Sequence, residues 1–400
     1  MQTLPITLLL ATCLSASNLC SQASAQTEAD TSQQAENEFR QPPDAKVLKA
    51  ERWKEVDASV ERALTWLATQ QQADGSFKSP DVGQPAITSF CLMAFLAQGE
   101  SPADGQYHQQ LTDAIDFIAD QQKANGLIST KAPDGVPIPR AVEHWTVGAP
   151  SVYNHAISGL ALSEAYGQCN PDQSKRLTPV IEKAIAATLE MQDWDKKEWN
   201  AGGWRYLDNE YEAESDLSVT GWQLMFLRSA KNAGFDVPKK SIDAAVEFVE
   251  KCFIKDKEQQ VYVYMVGVHD ASTRAMAGAG VLAMAHAGKH DSREALASGE
   301  WILRHDFKEY NKDTPIYGMH WAPDRYHYGS FLCTQAMFQL GGKYWKQFFP
   351  PLVETLLANQ QADGAWPPEK RDKQFGSCYS TSLCILTMSV PNQVLPIFQR

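Results

Sequence analysis

The residues best suited to chemistry gather just ahead of apolar helical runs. Glu214-Ser215-Asp216 immediately precedes Leu217-Ser218-Val219-Thr220-Gly221-Trp222, and Trp204-Arg205-Tyr206 lies a short way upstream. Asp216 and Glu214 are the carboxyl groups of this segment and its candidate catalytic residues. The same position makes Asp216 an N-cap for the helix that follows. Trp204, Tyr206 and Trp222 offer ring faces to an apolar or cationic group. His155, early in another apolar run, and Asp270, ahead of a third, join the ligand-binding set. The densest polar-aromatic stretch runs from Tyr317 to Tyr328 and contains His320, Trp321, Asp324 and Tyr326. At a helix mouth such rings stack on a sugar or steady a cation, and in a loop they simply pack.

Metal and nucleophile chemistry find less support. His286 and His290 flank Gly288, where the helix is ending, and read as a solvated helix end. The chain has no G-x-S-x-G, H-E-x-x-H, P-loop or G-x-G-x-x-G pattern. Neither a metal nor a cofactor is expected.

These residues need a scaffold, and composition bounds it. The 400 residues are 44% hydrophobic and 21% charged, enough apolar material for a large core. A net charge of −12 argues against nucleic acid or an anionic membrane surface, both of which demand clustered Lys and Arg. The apolar run Leu4 to Leu14, followed by Ala23-Ser24-Ala25, reads as a cleavable leader over residues 1–25, although its start carries no Lys or Arg. The run is too short to span a bilayer, and no later segment is a stable membrane span. Export to the periplasm or the extracellular space is the expectation. Residues 26–50 are polar and mixed in charge, and read as a flexible spacer. Six cysteines follow the leader, mostly inside apolar runs such as SFCLMAF, and read as buried small hydrophobes, with a disulfide between repeats left open.

Self-similarity decides the architecture. Trp66-Leu67-x-x-x-Gln71-x-x-x-Gly75-x-Phe77 near the start matches Leu356, Gln360, Gly364 and Trp366 near the end. Gln122, Gly126 and Ile128 repeat the frame, and Gln192 with Gly202 and Trp204 repeats it around an insertion. Fainter copies begin at Phe248 and at Trp301, the latter reaching Gly318-x-His320. Each copy follows an amphipathic helix, such as that of Val56, Val60, Leu64 and Leu67, and precedes a more apolar one, such as Thr88–Ala97. The apolar counterparts are 152–166, 218–230, 271–287, 328–340 and 378–388. The expected fold is all-α over residues 51–400, about six helix pairs closed into a ring of two concentric layers around an aromatic-lined cavity. The segment VYVYMV at 261–266 is the nearest approach to a strand.

The Gln-x-x-x-Gly-x-Trp frame in helix pairs resembles the QW repeat of squalene and oxidosqualene cyclases and of protein prenyltransferase β-subunits, the α/α toroid group. Squalene-type cyclases place Asp-x-Asp-Asp-Thr-Ala ahead of an inner helix, and its central Asp protonates an alkene. By that resemblance Glu214 and Asp216 match the first two acids, Leu217 stands in place of the third and Ser218 in place of Thr. Those cyclases carry a second barrel, so a single toroid is closer to a prenyltransferase β-subunit. Such subunits hold zinc through Asp-x-Cys followed by Tyr-Ser; Cys378-Tyr379-Ser380 echoes the segment, with Gly376 in the Asp place. The resemblance implies an apolar or isoprenoid-like ligand in the cavity and class II terpene cyclase-like chemistry. Two other functions stay open on the residues alone. One is an exported polysaccharide lyase or hydrolase, which needs two carboxylates facing across a glycan cleft, drawn from Glu214, Asp216, Asp270 and Asp324. The other is a non-catalytic interaction scaffold.

Overall fold

The computed structural model describes residues 47–140, 142–207, 214–256, 259–269, 272–312, 324–369 and 373–400. The expected leader, nearly all of the spacer, Asp270, His320 and Trp321 lie outside the described residues.

Amphipathic and wholly apolar helices alternate as the sequence pattern predicts. The amphipathic set is α1 (Ala50–Ala68), α3 (His108–Asp120), α5 (Pro171–Gln192), α7 (Lys239–Lys251), α9 (Arg293–Arg304) and α11 (Gly342–Ala358). Between them come α2 (Ala86–Leu96), α4 (Ala149–Tyr166), α6 (Leu217–Asn232), α8 (Arg274–His286), α10 (Tyr326–Leu340) and α12 (Gly376–Ser389). In α1, Val56, Val60, Ala63, Leu64 and Leu67 are buried, while Glu51, Asp57, Glu61 and Arg62 face solvent. Every residue of α2 is buried, as a helix covered on both sides must be. The apolar helices contact one another in series, α2 to α4, α6, α8, α10 and α12, and α12 returns to α2. The outer layer closes as well, α11 packing on α1. The fold is an all-helical α/α toroid with two concentric layers. No described helix is long and apolar enough to cross a membrane.

The repeated glutamine and glycine grip the next outer helix. Gln71 donates through Nε2 to the Gly75 carbonyl of its own turn (3.0 Å) and to the Gln110 carbonyl in α3 (2.8 Å). Gln122 does the same to Gly126 (3.3 Å) and Val180 in α5 (2.7 Å), and Gln192 to Gly202 (2.8 Å) and Ser241 in α7 (2.9 Å). Gln360 bonds Gly364 (2.9 Å) and Ser59 of α1 (2.8 Å), so the last repeat closes the ring with the bond the others use internally. The glycine is dictated twice over. Gly75 has φ +87°, and a Cβ there would sit 2.2 Å from the Asp113 carbonyl; Gly202 has φ +88° and meets the Ala244 carbonyl at 2.2 Å. Each blocking carbonyl lies one helical turn beyond the carbonyl its glutamine holds. Removing the closing bridge with Gln360→Ala is expected to cost about 1–2 kcal/mol, read as a lower denaturant midpoint at unchanged slope. An unchanged midpoint would remove that bridge from the account.

Two features depart from the expected pattern. Residues 253–255 and 260–262 form a short antiparallel hairpin, β1 (Phe253–Lys255) and β2 (Gln260–Tyr262), between α7 and α8. Part of the lumen is also filled rather than open. Phe90 of α2 reaches Trp222 of α6 (ring centroids 5.5 Å) and Phe331 of α10 (6.5 Å), and Trp222 stacks on Phe331 (6.1 Å, 7°). Since α2 is not a ring neighbour of α6 or α10, these rings meet across the centre. The six described cysteines are free thiols, five of them buried.

Candidate functional site

The site builds outward from the start of α6. Asp216 is its N-cap: backbone extended (φ −132°, ψ 156°), one carboxylate oxygen accepting the Val219 N–H at 2.8 Å. The other oxygen accepts the Tyr264 hydroxyl at 3.1 Å, and Asp216 is fully buried. Tyr264 arrives on the segment after β2, tied to the helix start because its carbonyl accepts the Leu217 N–H at 2.8 Å. Its hydroxyl also meets that of Tyr206 at 2.6 Å. On the other side, the Asp216 N–H bonds the Trp204 carbonyl at 3.0 Å, which brings Arg205 and Tyr206 alongside.

Arg205 links the two acids of the motif. Its guanidinium lies 3.6 Å from the Glu214 carboxylate and over the rings of Tyr206 (5.1 Å) and Tyr264 (5.6 Å). Burial pushes the Asp216 carboxyl up to about 6; Arg205 and the bonds from Val219 and Tyr264 pull it back only in part. Burial likewise pushes the Tyr206 phenol up to about 12.

Beside the acid runs a second chain of hydroxyls. Tyr153 of α4 donates to Ser218 (2.8 Å), Ser218 meets Tyr328 of α10 (3.0 Å), and the Trp222 indole N–H donates to Tyr328 (3.0 Å). Trp222 and Tyr328 stack at 6.1 Å and 22°. Below them lies a cavity of about 10 Å³, lined by Ser218, Gly221, Trp222, Ala279, Tyr328 and Leu332 among others, room for about one water. Tyr206 leads toward the surface through the edge-on ring of His144 (5.1 Å), whose neighbour Trp145 is 75% exposed. The arrangement holds one protonatable carboxyl at the N-terminal mouth of the inner helices, with aromatic faces on several sides.

Of the residues singled out in the sequence, Asp216, Glu214, Tyr206 and Trp222 come together here. Three others belong to the scaffold. The Trp204 ring is buried and its indole donates to the Thr188 carbonyl at 2.8 Å, as Trp366 donates to Leu356 at 2.8 Å. His155 is buried as well: Nδ1 accepts the Ile128 N–H at 3.2 Å, and Nε2 lies 2.9 Å from the Thr188 hydroxyl. It stands where Thr88, Thr220 and Thr381 hold the N–H groups of Phe77, Trp204 and Trp366. Burial pulls it down to about 3, so it stays neutral. Tyr326 is buried against Phe307, donating to that residue's carbonyl at 2.9 Å. Asp324 is sealed in an ion pair with Arg274, both side chains no more than 2% exposed.

Sequence reasoning did not assign Tyr153, Tyr264 and Tyr328 to the site, and met Ser218 only in the motif comparison. The short alternation VYVYMV was the available signal for Tyr264, since it marks the hairpin that delivers it. Nothing local marked Tyr153.

No family model matches the chain, and no curated protein does. Solved structures do resemble it. A type II terpene cyclase, MstE from Scytonema, in complex with geranylgeranyl dihydroxybenzoate, aligns over 88% of this chain and 100% of its own, with TM-score 0.54 and 12% identity. A glycoside hydrolase family 76 mannosidase of Bacteroides thetaiotaomicron aligns over 86% and 99%, with TM-score 0.58 and 12% identity. An α-1,6-mannanase of Salegentibacter, in complex with α-1,6-mannotriose, aligns over 84% and 98%, with TM-score 0.56 and 13% identity. What the chain shares with all three is the α/α toroid fold.

Proposed function

We propose that this toroid binds an apolar, isoprenoid-like molecule at the N-terminal mouth of its inner helices, with Asp216 as the acid that protonates it. The observation that carries this is the environment of Asp216: a single fully buried carboxyl, raised to about 6, bonded to Tyr264 and close to the phenols of Tyr206, Tyr153 and Tyr328. Protonating an alkene leaves a carboxylate and creates a carbocation. The carboxylate is stabilised by the Val219 N–H, the Tyr264 hydroxyl and the charge of Arg205; the cation faces electron-rich rings. The hydrolytic alternative is less favoured. It needs two carboxylates facing across a cleft, whereas Glu214 and Asp216 lie two residues apart on one segment and Asp324 is locked to Arg274. The leader expected in the sequence would put this chemistry in an exported compartment.

Asparagine caps a helix about as well as aspartate, so Asp216→Asn is expected to fold like the parent. Incubated with polyprenyl alkenes in D₂O, the parent should place deuterium in the product, and the variant should lose about 10²–10⁴ in rate. An Asn variant as active as the parent would remove Asp216 from the chemistry.

A further inference from the structure

The end of the ring opposite Asp216 is occupied by the chain itself. After α12 the backbone turns through short helical turns at Val390–Asn392 and Pro396–Phe398, with Gln393 between them in the left-handed region (φ +49°). Leu395, Ile397 and Phe398 are each at most 3% exposed. What buries them is the C-terminal ends of the inner helices. Glu164 in the last turn of α4 accepts the Ile397 N–H (3.4 Å) with one oxygen and the Ser229 hydroxyl of α6 with the other. Gln339, the penultimate residue of α10, donates to two successive carbonyls, Phe398 (3.2 Å) and Gln399 (3.3 Å). Asn392 reaches Gln98, just past α2, at 3.4 Å. The Phe398 ring stands edge-on to Phe331 (5.8 Å, 86°), which is part of the aromatic packing that crosses the lumen.

The far end therefore reads a peptide. Main-chain N–H and C=O groups are met by a buried carboxyl and a buried amide, and one aromatic side chain is seated on a ring of the lumen. The bonds that tie the segment to the ring are long, 3.2 to 3.4 Å, and a non-glycine residue sits at positive φ at the bend. We propose that residues 395–398 are a displaceable floor: they occupy a peptide-binding site at the C-terminal ends of α4, α6 and α10, and their release opens the aromatic lumen to apolar molecules from that end. This does not depend on the role given to Asp216.

The test compares the full chain with a chain ending at Val394, using anilinonaphthalene sulfonate as the apolar probe. The shortened chain is expected to keep its far-UV helical signal and bind the probe, and a synthetic Leu-Pro-Ile-Phe-Gln-Arg peptide should displace it. Phe398→Ala in the full chain should give the same binding more weakly. In the unaltered chain, the Ile397 amide should exchange with deuterium roughly 100-fold or more faster than amides in the middle of α10. A shortened chain that folds yet excludes the probe would overturn the proposal. So would an Ile397 amide exchanging only as slowly as the α10 core, a result that decides the matter even where the shortened chain fails to fold.

Discussion

Trp366→Ala is expected to lower the unfolding free energy by about 3–5 kcal/mol, the range for truncating a large buried ring that leaves a cavity. The ring is fully buried, its indole N–H donates to the Leu356 carbonyl, and its backbone N–H is held by the Thr381 hydroxyl at 3.0 Å. The same repeat supplies Gln360, which ties α11 to α1, so the damage falls on the seam of the ring. Trp66, in α1, is only partly buried, and its truncation should cost clearly less. Denaturant midpoints of the two variants separate the roles. A Trp366→Ala midpoint equal to the parent's would contradict the packing described here.

Raising the pH is expected to weaken the fold at two carboxyls. Burial lifts Glu164 from 4.5 to about 7 and Asp216 from 3.8 to about 6, so the folded chain holds protons that the unfolded chain releases. Their contribution is fully present below the unfolded values and is lost as pH rises through about 6 to 7, at most about 3 kcal/mol each. His155 acts in the opposite sense. Burial holds it down to about 3, so its contribution is lost as pH falls below the ordinary value of 6.5. Between about pH 4 and 6.5 the two effects therefore oppose each other, and above that only the loss at the carboxyls remains. Glu164→Gln should flatten the decline on the alkaline side; a variant profile that superposes on the parent's would show that Glu164 is not the group responsible.

The ring was legible because its two helix types differ in period and polarity. The exposed face of α1 and the unbroken apolarity of α2 are visible residue by residue, and Gln71 and Gly75 recur with Gln360 and Gly364 in the same phase. Residue roles within the frame were harder to read. Trp204 looks like a binding-site ring in sequence, and only its bond to Thr188 places it with Trp366 in the scaffold. His155 takes a place that threonine fills in three other repeats, and a single sequence does not announce such a substitution. Tyr264 lies far along the chain from Asp216 and reaches it only because the hairpin β1–β2 intervenes between α7 and α8. Long-range meetings of that kind leave no periodic trace.

The central claim is that the mouth around Asp216 takes an apolar, isoprenoid-like molecule. Native mass spectrometry of the full chain purified from its own source, followed by lipid and glycan extraction, tests it most directly. A co-purifying polyisoprenoid or sterol-like lipid, released by Trp222→Ala with the helical signal retained, is the predicted result. A bound mannan-like glycan retained by that variant would contradict it.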